Sequence, residues 1–206
     1  MGLVPNTNKN NVSICIPTCG QCEIEFAHSL AVMMCETQHT GVGLRVTTRS
    51  GSLIAASRQA LAEKSLGFSG CTHLLFLDDD MGFPPDTLTR MLAHDEGIVG
   101  VNYLRREEKR SPVACSTDRK LMFLDDESSG LVEASSTGTG IMLIRMEVFR
   151  ALPKPWFETS YNIQSGHYEG EDRYFCHKAA DYGYKTWIDQ DLSKEVVHIG
   201  SKRYVW

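Results

Sequence analysis

The stretch Leu74-Leu75-Phe76-Leu77-Asp78-Asp79-Asp80 joins four consecutive apolar residues to three consecutive carboxylates. An uninterrupted apolar run of this kind predicts a strand that is buried on both faces, as in the centre of a parallel sheet. Open α/β sheets bind their ligands at the carboxyl ends of such strands. Because side chains alternate along an extended chain, we expect Asp78 and Asp80 on one side and Asp79 on the other.

This acidic triplet is a candidate cation site. Two carboxylates on the same side of a strand repel each other unless a cation lies between them. Their hard oxygens suit Mg²⁺ or Mn²⁺ held jointly with substrate phosphates. A solvated acidic turn is the alternative interpretation, although such a turn more usually contains Gly or Asn. The buried strand that precedes the carboxylates favours the metal site.

The composition is that of an ordinary globular protein. The chain has 206 residues, of which 42% are hydrophobic and 23% charged, and this predicts one domain after a flexible lead-in at residues 1–11. The net charge of −5 argues against a strongly basic nucleic-acid-binding module. No apolar run approaches the roughly 20 residues that span a membrane, and the polar N-terminus lacks an apolar signal core. We therefore expect a cytoplasmic protein with reduced cysteines.

The cysteine pattern contains one motif, Cys19-Gly20-Gln21-Cys22. It lies between a strand-like run, residues 12–16, and a helix-like run, residues 24–35, which is the context of thiol redox motifs. A helix start could lower the pKa of a thiol there. The alternative is a turn with two small residues. A redox function would leave the acidic triplet and the C-terminal half unexplained.

Strand-like and helix-like segments alternate along the chain, which predicts an α/β fold with a largely parallel sheet flanked by helices. The predicted strands lie at 12–16, 43–48, 74–77, 97–103, 141–144, 184–188 and 195–197, and predicted helices begin near 24, 53, 83, 146 and 171. Residues 111–135 are expected to form a small antiparallel hairpin region.

Several residues outside the triplet are candidates for ligand contacts. Arg58, early in a predicted helix, is well placed to meet phosphate oxygens, although a solvated surface arginine is the alternative. Gly138 and Gly140 permit a close approach of the backbone to a ligand. Trp156 and its neighbour Phe157 could stack on a sugar or a base, or else cover the core.

The C-terminal part supplies an acid pair and a histidine. Glu171 and Asp172 begin a predicted helix, where the helix dipole favours acidic residues. The same dipole would keep Asp172 ionised, as a base that accepts a hydroxyl proton must be. His198 ends a short predicted strand, and a histidine near a carboxylate site is a candidate third metal ligand.

Taken in order, these motifs resemble a GT-A-fold glycosyltransferase, nearest the inverting, family-2-like and short viral or bacterial members, from about Val12 to Gly200. The triplet is similar to the DxD motif of that family. The other matching segments are Ile16-Pro17-Thr18, Ala55-Ala56-Ser57-Arg58-Gln59, Gly138 to Ile144, Gly170-Glu171-Asp172 with its helix (the ED motif), and His198-Ile199-Gly200. The resemblance implies a single Rossmann-like GT-A domain. Gln59 stands where many relatives have Asn, and the CxxC motif is not part of the pattern.

The resemblance also implies a role for each matching residue. Asp80 and His198 would ligate the Mn²⁺ or Mg²⁺ that bridges the donor diphosphate, and Asp78 would hold the ribose or the donor sugar. Asp172 would be the general base, with Glu171 beside it holding donor or acceptor. The other expected substrate-binding residues are Pro17 and Thr18 at the nucleotide base, Arg58 at the diphosphate, and Asp79, Gly138, Gly140 and Trp156.

The implied activity is transfer of a hexosyl or pentosyl group from a nucleotide-sugar to a hydroxyl acceptor, with inversion. A modified DNA base, a glycan and a protein are candidate acceptors. The alternatives are a nucleotidyltransferase on a related fold, a thiol oxidoreductase at Cys19 and Cys22, and a catalytically silent sugar- or nucleotide-binding module. A local basic rim could form from Arg105, Arg106, Lys109, Arg110, Lys202 and Arg203.

Overall fold

The computed structural model describes residues 10–163 and 166–206. Residues 1–9, most of the predicted lead-in, lie outside the described residues. The strands are β1 (Asn11–Thr18), β2 (Gly43–Ser50), β3 (His73–Leu77), β4 (Met81–Gly82), β5 (Ile98–Gly100), β6 (Cys115–Ser116), β7 (Leu131–Ser136), β8 (Ile141–Arg145), β9 (Ser160–Asn162), β10 (His167–Glu169), β11 (Thr186–Asp189), β12 (Val197–Ile199) and β13 (Arg203–Tyr204). The helices are α1 (Ile24–Gln38), α2 (Ile54–Leu66), α3 (Thr87–Ala93), α4 (Met146–Ala151), α5 (Glu171–Asp181) and α6 (Gln190–Glu195).

Eight of these strands form one twisted sheet in the order β2-β1-β3-β8-β5-β11-β7-β6. The pairings show that β8 and β7 run antiparallel to their neighbours, while the other six strands share one direction. The predicted α/β fold with a mostly parallel central sheet is therefore confirmed. The predicted hairpin region contributes the antiparallel pair β6–β7 at one edge.

Strand β3 is the centre of the molecule, as its sequence predicts. It pairs in parallel with β1 and antiparallel with β8, and residues 74–77 are fully buried. Leu75 and Leu77 pack into a core beneath α1 and α3, whereas Leu74 and Phe76 pack into a second core beneath α2, α4 and α5. Alternate side chains of one apolar strand therefore fill the cores on both faces of the sheet.

The alternation expected for the acidic triplet is not observed. The chain leaves β3 at Leu77, and the amide of Met81 donates to the carbonyl of Asp78 at 3.3 Å, so the backbone turns through Asp79 and Asp80. A turn does not present residues to alternating sides, so the period-two argument fails from Asp78 onward.

Two small sheets complete the fold around this turn. Strand β4 follows the triplet directly and pairs antiparallel with β12, which in turn pairs with β13. Because His198 lies at the centre of β12, this pairing returns it to the end of β3. The second small sheet is the hairpin β9–β10, which ends next to α5 and was not predicted. No helix in the described ranges is both long and apolar enough to cross a membrane.

Candidate active site

A cleft of about 290 Å³ opens at the carboxyl end of β3. Its walls come from the ends of β1 and β3, the loop after β2, and the first turns of α2. The residues that the sequence pointed to and that line it together are Pro17, Thr18, Cys19, Arg58, Asp78, Asp79 and Asp80. This position agrees with the rule that α/β sheets bind ligands at the carboxyl ends of their strands.

Arg58 is the buried cation of this cleft, with only 3% of its surface exposed. Its Nη2 lies 2.8 Å from Asp78 Oδ1, and its Nε lies 3.2 Å from Glu171 Oε1. Burial opposes the charge, but the carboxylates of Asp78 and Glu171 outweigh it, so the pKa of Arg58 is raised. This burial excludes a solvated surface arginine. Its Nη1 is buried without a hydrogen-bond partner among the described residues.

Through Arg58, the end of β3 is tied to the start of α5. Gly170 caps that helix, and Glu171 and Asp172 form its first turn. The Asp172 carboxylate accepts a hydrogen bond from the Arg173 amide at 2.7 Å. Burial, together with the neighbouring charge of Glu171, raises the pKa of Asp172, while that amide and Arg58 act in the opposite direction. Burial therefore outweighs the groups that favour the ionised form.

Asp79 is held by the loop between β1 and α1. Its carbonyl accepts a hydrogen bond from the Glu23 amide at 3.0 Å. Burial raises the pKa of Asp79, and Asp80 and Asp78 add to this effect, although the nearby Thr18 hydroxyl acts to lower the pKa of this side chain. Its Oδ2, like Arg58 Nη1, is a buried polar atom without a hydrogen-bond partner in the described part of the chain.

Asp80 and His198 form the candidate cation position. His198 Nε2 lies 3.5 Å from Asp80 Oδ2, and His198 Nδ1 lies 2.9 Å from the carbonyl of Leu104. Because a carbonyl only accepts, Nδ1 carries a hydrogen, and Nε2 is the ring nitrogen that faces Asp80 and whose lone pair a metal would take. Asp80 Oδ1 is buried and has no partner among the described residues.

These atoms fit a divalent cation that takes the rest of its ligands from a substrate. A ring nitrogen that faces a carboxylate, beside an unpartnered oxygen, is an oxygen-and-nitrogen donor set suited to Mn²⁺. The carbonyl behind the ring supplies the hydrogen bond that orients metal-binding histidines. No group of three or more His, Cys, Asp or Glu side chains gathers within the described residues, so the chain itself offers only part of a coordination shell.

Tyr103, which the sequence did not single out, contacts His198 on one side and lies near Asp78 and Asp172 on the other. Its hydroxyl accepts a hydrogen bond from the Gly140 amide at 3.0 Å, and its ring packs edge-on against that of His198 with centroids 5.3 Å apart. Burial raises the pKa of Tyr103, and the charges of Asp78 and Asp172 raise it further, so the phenol stays protonated.

Tyr103 also changes the interpretation of the glycine-rich loop. A Cβ at Gly138 or at Gly140 would lie within 2.4 Å or 2.5 Å of the Tyr103 hydroxyl. Both glycines are buried, so the close approach that they permit is that of Tyr103. The expectation that they contact a ligand is corrected accordingly. The carbonyl of Gly140 instead accepts the Asp78 amide at 2.9 Å and so fixes the start of the triplet.

Trp156 likewise does not line the cleft. It is 2% exposed, its ring packs edge-on against Phe149, and its indole N–H donates to the Leu152 carbonyl at 3.0 Å. Phe157 stacks on Phe175 in the same core. The expected substrate contact at Trp156 is therefore replaced by a packing role, because its aromatic face is covered by protein.

The two cysteines of the CxxC motif are exposed free thiols in the loop before α1. Cys22 precedes Glu23, the N-cap residue of α1, and Glu25 occupies its first turn.

Comparison with known proteins gives structural but not sequence relatives. No family model matches the chain, and no curated protein matches it. A197 from STIV aligns with a TM-score of 0.62 and 16% identity, over 93% of this chain and 86% of that one. Drosophila β-1,4-galactosyltransferase 7, in complex with manganese, UDP-Gal and xylobiose, aligns with a TM-score of 0.58 and 13% identity, over 93% and 71%.

A third solved structure, GalNAc-T7 with UDP, GalNAc and Mn²⁺, aligns with a TM-score of 0.61 and 12% identity, over 95% of this chain and 45% of that one. These likenesses show that the chain has the GT-A fold that its motifs predicted.

Proposed function

We propose that this protein is a metal-dependent glycosyltransferase that moves a sugar from a nucleoside-diphosphate sugar to a hydroxyl acceptor, with inversion. The observation that carries the proposal is the linked set of side chains at one edge of the sheet. Asp78, Arg58 and Glu171 form a chain of ion pairs that ends beside Asp172, while Asp80 faces His198. Solved structures of the same fold with UDP-sugars and manganese support this assignment.

The donor would lie in the cleft at the end of β3. Pro17 and Thr18 border the nucleotide base, Asp78 contacts the ribose or the sugar, and the free Nη1 of Arg58 meets a diphosphate oxygen. Asp80 and His198 would hold a divalent cation at the diphosphate. When bound, that cation would neutralise the negative charge that develops on the leaving group.

Asp172 would act as the general base. Its carboxylate takes the proton of the acceptor hydroxyl while the hydroxyl oxygen forms a bond to the anomeric carbon. The bond from that carbon to the diphosphate oxygen breaks, and its electron pair leaves with the nucleotide. The raised pKa of Asp172 makes it a stronger base than an exposed aspartate, provided that it is ionised.

A nucleotidyltransferase would need the carboxylates and the metal but not Asp172 as a base. No described contact favours that activity over glycosyl transfer. A thiol oxidoreductase at Cys19 and Cys22 would leave the ion pairs of Asp78, Arg58 and Glu171 without a role. A silent binding module would bind nucleotide-sugar without turnover. A screen of acceptors would identify the acceptor class, which is a modified DNA base, a glycan or a protein.

The test is a screen of nucleotide-sugars for Mn²⁺-dependent release of nucleoside diphosphate, with and without hydroxyl acceptors. We expect one donor class to be consumed, and expect EDTA to stop the reaction. Asp172→Asn should abolish transfer while keeping nucleotide binding, and Asp80→Asn should abolish both metal binding and transfer.

Asp181→Asn is the matched control, since it makes the same change at the exposed far end of the same helix. Full activity of the Asp172→Asn protein would contradict the assignment of the base. Release of pyrophosphate in place of nucleoside diphosphate would identify a nucleotidyltransferase instead.

A further inference from the structure

Arg106 is the residue of the predicted basic rim that enters the candidate cation position. Its Nη1 lies 3.0 Å from Asp80 Oδ2, the same oxygen that His198 Nε2 approaches to 3.5 Å. The Arg106 side chain is 51% exposed, whereas that of Asp80 is 15% exposed. The guanidinium thus reaches the partly buried carboxylate from the solvent side.

The segment that carries Arg106 also orients His198. Leu104 and Pro112 are bridged, and the Arg105 amide donates to the Ser111 carbonyl at 2.8 Å, so a narrow base supports an exposed loop at 106–110. The Leu104 carbonyl at this base receives the Nδ1 hydrogen of His198. The Leu104 carbonyl that orients His198 therefore lies in the supported base of the loop. The guanidinium of Arg106 lies in its exposed part.

Gly200 leaves the space that Arg106 needs to reach Asp80. A Cβ on Gly200 would lie 2.7 Å from Arg106 Cδ. Because the conflicting atom belongs to an exposed, flexible side chain, alanine at this position would displace Arg106 without forcing the backbone to move. A substitution at Gly200 can therefore test the contact between Arg106 and Asp80 without changing the charge of the loop.

We propose that Arg106 is a resident counter-ion of Asp80 that the divalent cation displaces, and that the released guanidinium then binds the donor diphosphate. The inference rests on the proposed function and adds a residue and an order of events to it. Arg106 and a metal ion cannot share one Asp80 oxygen with the His198 lone pair, because two cations would be brought into contact. Guanidinium groups pair readily with phosphate oxygens, so the displaced side chain has a partner beside the metal.

This exchange couples the two ligands. A diphosphate that draws Arg106 away from Asp80 removes the competitor of the metal, so the donor raises the affinity for the metal. By thermodynamic reciprocity, the metal raises the affinity for the donor by the same factor. Replacing Arg106 should weaken this coupling and leave the Asp80–His198 pair intact.

The test measures Mn²⁺ binding to the whole protein, from the free-Mn²⁺ EPR signal, first alone and then with UDP. An exchanged ion pair that is half exposed has a modest strength, so Arg106→Met should bind Mn²⁺ alone roughly two- to fivefold more tightly. It should bind UDP, at saturating Mn²⁺, weaker by a similar factor. Gly200→Ala should also tighten Mn²⁺ binding although it retains the guanidinium.

Lys109→Met is the matched control, because it removes the same charge from the exposed part of the loop and should change neither affinity. An Arg106→Met protein that binds Mn²⁺ no more tightly than wild type overturns the inference. If Asp80→Asn abolishes Mn²⁺ binding in that case, the metal site stands and only the role of Arg106 fails. If wild type binds no Mn²⁺ even with UDP, the proposed metal-dependent function fails together with the inference.

Discussion

The amide of Gly140 donates a hydrogen bond to the hydroxyl of Tyr103 at 3.0 Å. A Cβ on residue 140 would lie only 2.5 Å from that hydroxyl, so a larger residue does not fit there. We expect Gly140→Ala to destabilise the protein by about 1–3 kcal/mol, the usual cost of overpacking a well-packed site. Urea denaturation should show a lower midpoint with an unchanged m-value.

Gly97→Ala is the control, since its Cβ would meet no atom closer than 3.4 Å. Its stability should change by no more than about 0.5 kcal/mol. Equal losses in both proteins would show that a general effect of replacing glycine, and not the Tyr103 contact, accounts for the loss.

The Arg58 ion pairs should support the fold as well as the site. Arg58→Met leaves Asp78 and Glu171 partly buried without their counter-ion, and we expect a loss of about 3 kcal/mol in unfolding free energy. Arg150→Met, on an exposed position, should cost little. Adding Asp78→Asn and Glu171→Gln to Arg58→Met should recover part of the loss, and no recovery would argue against a charge effect.

The buried, ionised carboxylate of Asp172 should lower the free energy of unfolding at neutral pH. Its pKa is raised in the folded protein, so the proton binds more tightly there than in the unfolded chain. The stabilising contribution of the protonated Asp172 side chain is fully present below its pKa in the unfolded chain. It is lost as the pH rises through its pKa in the folded protein. Asp172→Asn should therefore be more stable than wild type at neutral pH, and the difference should vanish in acid.

The same shift predicts the acid limb of activity. A base must be ionised, so kcat/KM should fall with decreasing pH at a higher pH than an ordinary aspartate would give. A profile that stays flat down to the range of exposed carboxylates would remove Asp172 from the role of base. Asp181→Asn should leave the profile unchanged.

His198 should control metal affinity. His198→Ala removes the nitrogen that faces Asp80, and we expect Mn²⁺ binding in the presence of UDP to weaken by at least about tenfold. His28→Ala, on the exposed face of α1, is the control. Unchanged affinity in the His198→Ala protein would place the metal elsewhere.

The exposed cysteines should be dispensable. A protein with Cys19→Ser and Cys22→Ser should retain sugar transfer within about twofold, because serine keeps the size of both exposed side chains, including that of Cys19 at the edge of the cleft. Loss of activity in this variant, with EDTA having no effect on wild type, would instead support the thiol oxidoreductase.

The parts of the site that could be predicted are those with a local signature. The apolar run ahead of Asp78 predicted the central strand, and an acid pair before a helical pattern predicted the start of α5. The expected approach of His198 to Asp80 is found in the structure, although no local pattern reveals the pairing of β12 with β4 that produces it.

The parts that could not be predicted depend on contacts between distant segments. From sequence alone, a solvated surface position for Arg58 is almost as probable as a place in the site, because its pairing with Glu171 spans 113 residues. Gly138 and Gly140 were assigned to a ligand, since nothing near them in sequence indicates Tyr103. Helix α6 was missed because it is short, and its signal is one capping side chain, Asp189, which accepts the Leu192 amide.

The two-residue strand β4 has a consequence for how the protein reaches its working form. Its partner β12 is separated from it by more than a hundred residues, so the loop between them must close before His198 meets Asp80. The central sheet from β2 to β11 is complete without that closure. We therefore expect the central sheet and the cores on its two faces to form first, and competence to bind metal to appear as a later, separate kinetic phase.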